Sequence, residues 1–254
     1  MKKYCVVTCI FNNYEPIREP LKTDLNCDYF LFTDNKDLKS DNWKVIYLKD
    51  FDTDKLTGVQ KTYKFKYSIY KYIPNLLDYD YIIRIDGSIL LKESLRPIID
   101  QMRNFDYDLS IGVHPFRNNR FDEYNIWINL RNLDERYETQ YAYFVEDIMH
   151  NVEYTGLCEN TVQIYKCCRD VYTFIDACYN YINYYTKFAD ANDQCYFTDI
   201  LYLFINNLRV NWHSNKLYIH AHYMDCYNHN DELRNDDDLE FNKMFNIPIT
   251  INNF

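Results

Sequence analysis

Apolar residues fall along this chain in short β-branched and aromatic runs separated by polar turns, and that rhythm predicts an α/β protein. Residues 3–11 (KYCVVTCIF) form the first run, ended by Asn12-Asn13-Tyr14-Glu15-Pro16, where asparagine and a pre-proline position stop a strand. Residues 28–34 and 43–48 repeat the pattern, giving three short strands within fifty residues. Over 59–72 the period changes. Tyr63, Tyr67 and Tyr70 stand three and four apart with Lys61, Lys64, Lys66 and Lys71 between them, which predicts a helix that Pro74 ends. Residues 80–85 are apolar at nearly every position, predict a central parallel strand, and run straight into Asp86-Gly87-Ser88.

A helix over 94–104 with Ser94 as N-cap and a strand over 108–113 follow. Then come a long helical stretch over 122–149, a short strand over 161–166, helices over 168–185 and 193–207, and short strands over 208–213 and 217–222. The β-helix-β alternation predicts one Rossmann-like α/β/α sandwich with a mostly parallel central sheet. No shift in composition marks a linker. The acidic run 231–240 reads as solvated, which divides the chain into a domain over 1–230 and an acidic C-terminal tail over 231–254.

Composition narrows the function. The chain has 254 residues, 47% of them hydrophobic and 26% charged, enough to bury a sizeable core. A net charge of −10 disfavours nucleic acid, which needs a basic footprint. With four glycines there is no P-loop, and no apolar stretch is long enough for a transmembrane helix. Nine cysteines without a CxxC pair read as free thiols in a reducing compartment, so a soluble, cytoplasmic protein is expected. The 27 tyrosines offer apolar faces with polar tips, suited to walls that contact carbohydrate as well as to ordinary cores.

Several groups could carry chemistry. Asp86, at the C-terminal end of a buried strand, could ligate a metal on a diphosphate, bond a ribose, or cap a turn, with Ser88 offering a second oxygen. The lysines of 61–71 are a solvated face or a phosphate contact. His114 and Arg117 emerge together from a strand end, where an anion or a sugar hydroxyl could sit, and Glu123 could pair with Arg117. Glu159 lies in a turn before a strand. Asp193 at a helix start is an N-cap, a base for a hydroxyl, or a partner of sugar hydroxyls. His213, His220, His222 and His229 form a C-terminal set in which His220 and His222 share a strand face.

Read together, Val7 to Tyr14 with Pro20, Asp28 to Asp34 with Trp43, Lys66 with Lys71-Tyr72, and Tyr79 to Ile89 resemble the TOD/MUCI glycosyltransferase-like family. His114-Pro115 with Arg117 and Glu123, Gly156-Leu157 with Glu159, and Asp193-Gln194 follow in the order of that family's later motifs, so the resemblance spans about residues 4–205. It implies a glycosyltransferase type A fold and a nucleotide-diphospho-sugar donor, expected here as a UDP-sugar, with a glycan or protein-linked acceptor. It also implies Mn²⁺ or Mg²⁺ held by an Asp-x-Asp motif. Here that motif is Asp86-Gly87-Ser88, lacking the second carboxylate, and His220 or His222 would have to complete the metal site. On this reading Asn12 to Tyr14 holds the nucleotide, Lys66 the phosphates, and Asp86 with Ser88 the cation. His114, Arg117, Glu159 and Asp193 line the sugar and acceptor, with Asp193 or Glu159 as the base. The rivals are a nucleotidyltransferase and a non-catalytic carbohydrate-binding relative.

Overall fold

The structure, a computed structural model, describes residues 3–53, 55–114, 117, 119–120, 123, 135–149, 156–187, 193–213 and 222–227. Its strands are β1 (Lys3–Ile10), β2 (Cys27–Thr33), β3 (Lys44–Tyr47), β4 (Tyr79–Ile85), β5 (Ile89–Leu91), β6 (Leu109–Val113), β7 (Cys158–Lys166), β8 (Val210–His213) and β9 (Met224–Cys226). The helices are α1 (Lys49–Asp52), α2 (Gly58–Lys66), α3 (Arg96–Phe105), α4 (Glu135–Ile148), α5 (Arg169–Thr186) and α6 (Asp193–Phe204).

Seven strands make the central sheet in the order β3-β2-β1-β4-β7-β6-β8, while β5 and β9 pair as a separate antiparallel ribbon. Every neighbouring pair in the large sheet is parallel except the two made by β7, which runs antiparallel to β4 and β6. The fold is thus the expected α/β architecture with a mostly parallel sheet. The chain lays β2 and β3 on one side of β1, then crosses to place β4 on the other. In open α/β sheets ligands bind at such a reversal, outside the carboxyl ends of the strands, here those of β1 and β4.

Alternation along each strand divides the core in two. Cys5, Val7, Cys9 and Phe11 of the first strand and its exit, Phe30 and Phe32, and Ile82 pack with Phe65, Phe174, Ile175, Phe197 and Ile200 from α2, α5 and α6. Tyr4, Val6 and Ile10, Leu31, Tyr81, Ile83 and Ile85 pack with Ile99 and Met102 of α3 on the other face. Covering both faces is what makes β1 and β4 apolar nearly throughout, since alternation survives only where one face meets water. The exception is Arg84, fully buried on the first of these faces.

Some elements differ from the sequence reading. The helix expected over 59–72 ends at Lys66, and a 3-10 turn over Ile69–Lys71 replaces its last part. Ser68 Oγ donates back to the Lys64 carbonyl at 2.6 Å, the kind of local bond that competes with helix continuation. Its start is fixed by a capping box in which Thr57 and Gln60 exchange side-chain and backbone bonds at 3.2 and 2.8 Å. Ser94 is not the N-cap of α3, a place taken by Leu95, although its hydroxyl still accepts from Arg96 N at 3.2 Å. The strand expected over 161–166 begins three residues earlier, at Cys158, and is antiparallel. Of the expected 217–222 strand only His222 lies within the described residues, and the tail over 231–254 lies outside them. No helix among the described residues is long and apolar enough to cross a membrane.

Phe65 packs fully buried against Phe11, Phe32, Phe51 and Tyr72, with ring centroids 4.8 to 6.4 Å away. Phe65→Ala is expected to cost about 3–5 kcal/mol in urea denaturation. Phe105→Ala, at a residue 61% exposed, should stay within about 0.5 kcal/mol. Equal losses at the two positions would contradict this placement of the core.

Candidate functional site

The carboxyl edge of the sheet collects the residues singled out by sequence. At the end of β1 the chain turns through Asn12 and Asn13, both with φ near +50°, a conformation asparagine adopts more readily than most side chains. Asn12 N donates to Asp34 Oδ1 at 2.9 Å, and buried Lys61 of α2 donates to Asp34 Oδ2 at 2.7 Å and to Asn12 Oδ1 at 2.9 Å. The exits of β1 and β2 are thereby locked to one helix. Tyr14, half-exposed, stands at the rim of this knot.

One strand further along, β4 delivers Asp86. Its Oδ1 is held by Arg84, whose other terminal nitrogen donates to the Asn160 carbonyl at 2.6 Å. Burial works against the Arg84 charge, but Asp86 together with Cys9, Tyr165 and Asp193 outweighs it, and the guanidinium is held above its ordinary pKa. The same burial pushes the Cys9 thiol up to about 12, so that Cys9 stays protonated. The second carboxylate oxygen of Asp86 has no hydrogen-bond partner among the described residues, and the side chain is 36% exposed. Gly87 lets the loop after β1 lie close. A methyl there would stand 3.3 Å from both the Cys9 carbonyl and Glu15 Cγ, tighter than side chains normally pack. Ser88 stands in the same turn, its carbonyl accepting from Tyr227 N at 2.9 Å.

Lys66, the last residue of α2, and Tyr67, which follows it, both reach Asp193 at the start of α6. The ammonium and the phenol each donate to Asp193 Oδ2 at 2.6 Å. Burial pulls the lysine below its ordinary pKa range although Asp193 acts in the opposite sense, and burial pushes the Tyr67 phenol well above its own range. Asp193 is thus the first residue of α6, tied by an ion pair to a different helix. Next to it, Gln194 Nε2 donates to the Cys158 carbonyl at 3.2 Å.

Because β7 is antiparallel, its first residues reach this same edge. Glu159 pairs in register with Gly112 of β6, which on its other side pairs with His213 of β8. A methyl on Gly112 would lie 3.4 Å from both Glu159 Oε2 and His213 Cε1, in ordinary contact with each, so both side chains flank this strand position. Thr161 Oγ1 donates to Glu159 Oε1 at 2.6 Å. His114 follows β6, and its Nδ1 accepts from Arg117 N at 3.2 Å. Arg117 pairs with buried Glu123, as the sequence predicted. Arg120 pairs with Asp199 of α6 at 2.9 Å, and Tyr141 of α4 donates to the same carboxylate at 2.9 Å.

The structure therefore brings Asn12, Lys66, Asp86, Ser88, His114, Glu159 and Asp193 to one sheet edge. It does not bring His222 there. Lys92 N bonds the Tyr223 carbonyl at one end of the β5–β9 ribbon, whereas Tyr227 meets Ser88 at the other, so His222 stands at the end away from Asp86. His220 lies outside the described residues. Among the described residues, no three His, Cys, Asp or Glu side chains converge so as to hold a metal ion. Asp34, Tyr67 and Arg84 went unassigned in the sequence. Arg84 carried a signal, as a cation set among Tyr81, Ile82, Ile83 and Ile85 of an otherwise apolar stretch.

No family model and no curated protein matches the chain, so the TOD/MUCI resemblance rests on its motifs. Among solved structures the chain is similar to mouse xyloside xylosyltransferase 1 in its apo form, at 11% identity over 87% of this chain and 90% of that one, with a TM-score of 0.46. It is also similar to core-mannan synthase A from Aspergillus fumigatus in its Mn/GDP form, at 12% identity over 84% and 73%, with a TM-score of 0.49. A third likeness is to the galactosyltransferase LgtC in complex with donor and acceptor sugar analogs, at 16% identity over 82% and 72%, with a TM-score of 0.42.

Lys66→Met would leave the Asp193 carboxylate buried with only Tyr67 as partner, and is expected to cost about 3–5 kcal/mol in urea denaturation. Adding Asp193→Asn should recover a large part of that loss, because the unpaired charge is then gone. A double variant no more stable than Lys66→Met alone would show that the pair does not carry the effect.

Proposed function

We propose that this protein transfers a sugar from a nucleoside-diphosphate donor, a UDP-sugar in the reading its motifs favour, onto a glycan or protein-linked acceptor. One observation carries the proposal: the carboxyl ends of β1 and β4 gather Asn12, Asp34, Lys61, Lys66, Asp86 and Asp193 at the topological reversal of the sheet. Asp34, fixed by Lys61 and Asn12, suits a nucleoside hydroxyl, and Tyr14 at the rim offers a face for a base. Asp86 and Ser88 would face the diphosphate, with Lys66 behind them, turned to Asp193.

Charge decides how a diphosphate can be held. Lys61, Lys66, Arg84, Arg117 and Arg120 each already face a carboxylate, so the described edge carries no surplus of positive charge. A diphosphate therefore needs a counter-charge brought in with it. The open oxygen of Asp86 and the hydroxyl of Ser88 suit Mn²⁺ or Mg²⁺ when substrate phosphates supply the remaining ligands, which is how Mg²⁺ is usually bound. When bound, the cation would supply positive charge to the departing diphosphate.

In the transfer, an acceptor oxygen bonds the anomeric carbon as that carbon's bond to the diphosphate breaks, and the acceptor proton must go to a base. With one oxygen of Asp193 already accepting two donors, its remaining oxygen suits a donor-sugar hydroxyl better than a proton. Glu159 is then the base, with His114 and Arg117 on the acceptor side.

Thermal shift with UDP, GDP, CMP and dTDP, each with and without Mn²⁺, tests this. A nucleotide at about 100 times its Kd should add roughly 2.7 kcal/mol of stability. The shift is expected with one nucleotide and only with Mn²⁺. Asp86→Asn, which keeps an acceptor for Arg84, should remove most of it. No shift with any nucleotide would overturn the proposal in favour of a carbohydrate-binding protein, and pyrophosphate release from a sugar phosphate and a nucleoside triphosphate would replace it with nucleotidyl transfer.

A further inference from the structure

The arrangement around Asp193 goes beyond an ion pair. Lys66 and Tyr67 are consecutive, and in a continuing helix their side chains would diverge by about 100°. Here α2 ends at Lys66, and Tyr67 sits at φ −92° and ψ 14°, in the sparsely populated bridge region where active-site residues are often found. That break lets ammonium and phenol converge on a single oxygen, Asp193 Oδ2, each at 2.6 Å. Two donors saturate Oδ2 and fix the rotation of the carboxylate. Oδ1 has no hydrogen-bond partner among the described residues, and the side chain keeps 8% of its surface exposed, so Oδ1 is the oxygen left for a ligand to meet. Tyr67 itself is fully buried, with its ring 6.2 Å from Phe197 of α6, and cannot touch a ligand.

We infer that Tyr67 is a positioning residue. By occupying Asp193 Oδ2 together with Lys66, it aims Oδ1 at a hydroxyl of the donor's sugar and so sets how strongly the site distinguishes a nucleotide-sugar from the bare nucleoside diphosphate. The inference rests on the nucleotide-sugar reading above. Lys66 alone could neutralise the carboxylate, but a single ammonium on a flexible stem leaves the plane of the carboxylate free to turn. The phenol, held on a rigid ring in the core, removes that freedom.

Calorimetric titration of UDP and UDP-glucose, and of GDP and GDP-mannose, all with Mn²⁺, tests this on the wild type, Tyr67→Phe and Tyr165→Phe. Tyr165 is the control, because its hydroxyl is equally buried in the same core and has no hydrogen-bond partner among the described residues. In Tyr67→Phe the ratio of nucleotide-sugar to nucleoside-diphosphate affinity is expected to fall about tenfold, the worth of one hydrogen bond to a charged group. The affinity for the nucleoside diphosphate itself should hold, and Tyr165→Phe should match the wild type in both. A ratio unchanged in Tyr67→Phe, or one that moves equally in Tyr165→Phe, would overturn the inference while leaving the donor reading intact. Failure of the wild type to bind any of the four would instead overturn the donor reading, and the inference with it.

Discussion

A lysine ammonium leaves water only at a high cost unless a carboxylate meets it, and this molecule is arranged around that constraint. Lys66 is buried beneath the sheet's helices, and the only way to keep it charged there is to bring the start of α6 against the end of α2. The same requirement recurs along the sheet edge. Lys61 draws Asp34 and so ties the exits of β1 and β2 together, Arg84 draws Asp86 back toward β4, and Arg120 draws its segment onto Asp199 of α6. Apolar replacements of similar volume would often be as stable as such pairs. Their concentration at the one edge where this topology reverses is therefore better explained by what they hold in place than by the stability they add.

Pairing also sets the electrostatics of that edge. A site that neutralises each of its own cations has little field left for a polyanion, however many lysines the sequence shows nearby. Lys61, Lys64, Lys66 and Lys71 look in sequence like a basic stripe, yet two of the four are buried and committed to Asp34 and Asp193, and Lys71 pairs with Asp176 of α5 at 3.2 Å. The edge can hold a diphosphate as the complex of a cation far better than as a free anion. That fits Asp86, whose single oxygen without a hydrogen-bond partner among the described residues would be a poor metal site without phosphate ligands.

Much of the fold was legible because β1, β2 and β4 are covered on both faces and read as continuous apolar runs, and because the turn after β4 delivers Asp86 where a parallel strand ends. Less legible was whatever depended on partners remote in sequence. The direction of β7 is set by its neighbours β4 and β6, since residues 158–166 read the same whichever way they run. Tyr67 read as one apolar position of a helix, since nothing local shows that the helix breaks beside it or that Asp193, 126 residues later, will be waiting. Asp34 was legible as the end of a strand, but its lock on Lys61 and Asn12 required three segments at once. His222 was misplaced for a related reason. The β5–β9 ribbon was not foreseen, and its register carries the histidine to the end away from Asp86.

The antiparallel β7 separates the two carboxylates that sequence had left interchangeable. Had β7 run parallel to β4, Glu159 would lie at the opposite edge of the sheet and Asp193 would be the only acidic candidate for proton transfer. As built, Glu159 enters from the sheet itself, beside Gly112 and within reach of the His213 strand, whereas Asp193 enters from a helix with one oxygen already filled by two donors. A carboxylate fixed in that way is suited to hold a hydroxyl in place, because turning to follow a proton would break two charge-assisted bonds at once. Glu159 accepts from the Thr161 hydroxyl on Oε1, and its Oε2 lies alongside Gly112. The division of labour proposed for the two acids thus rests on strand direction and helix termination.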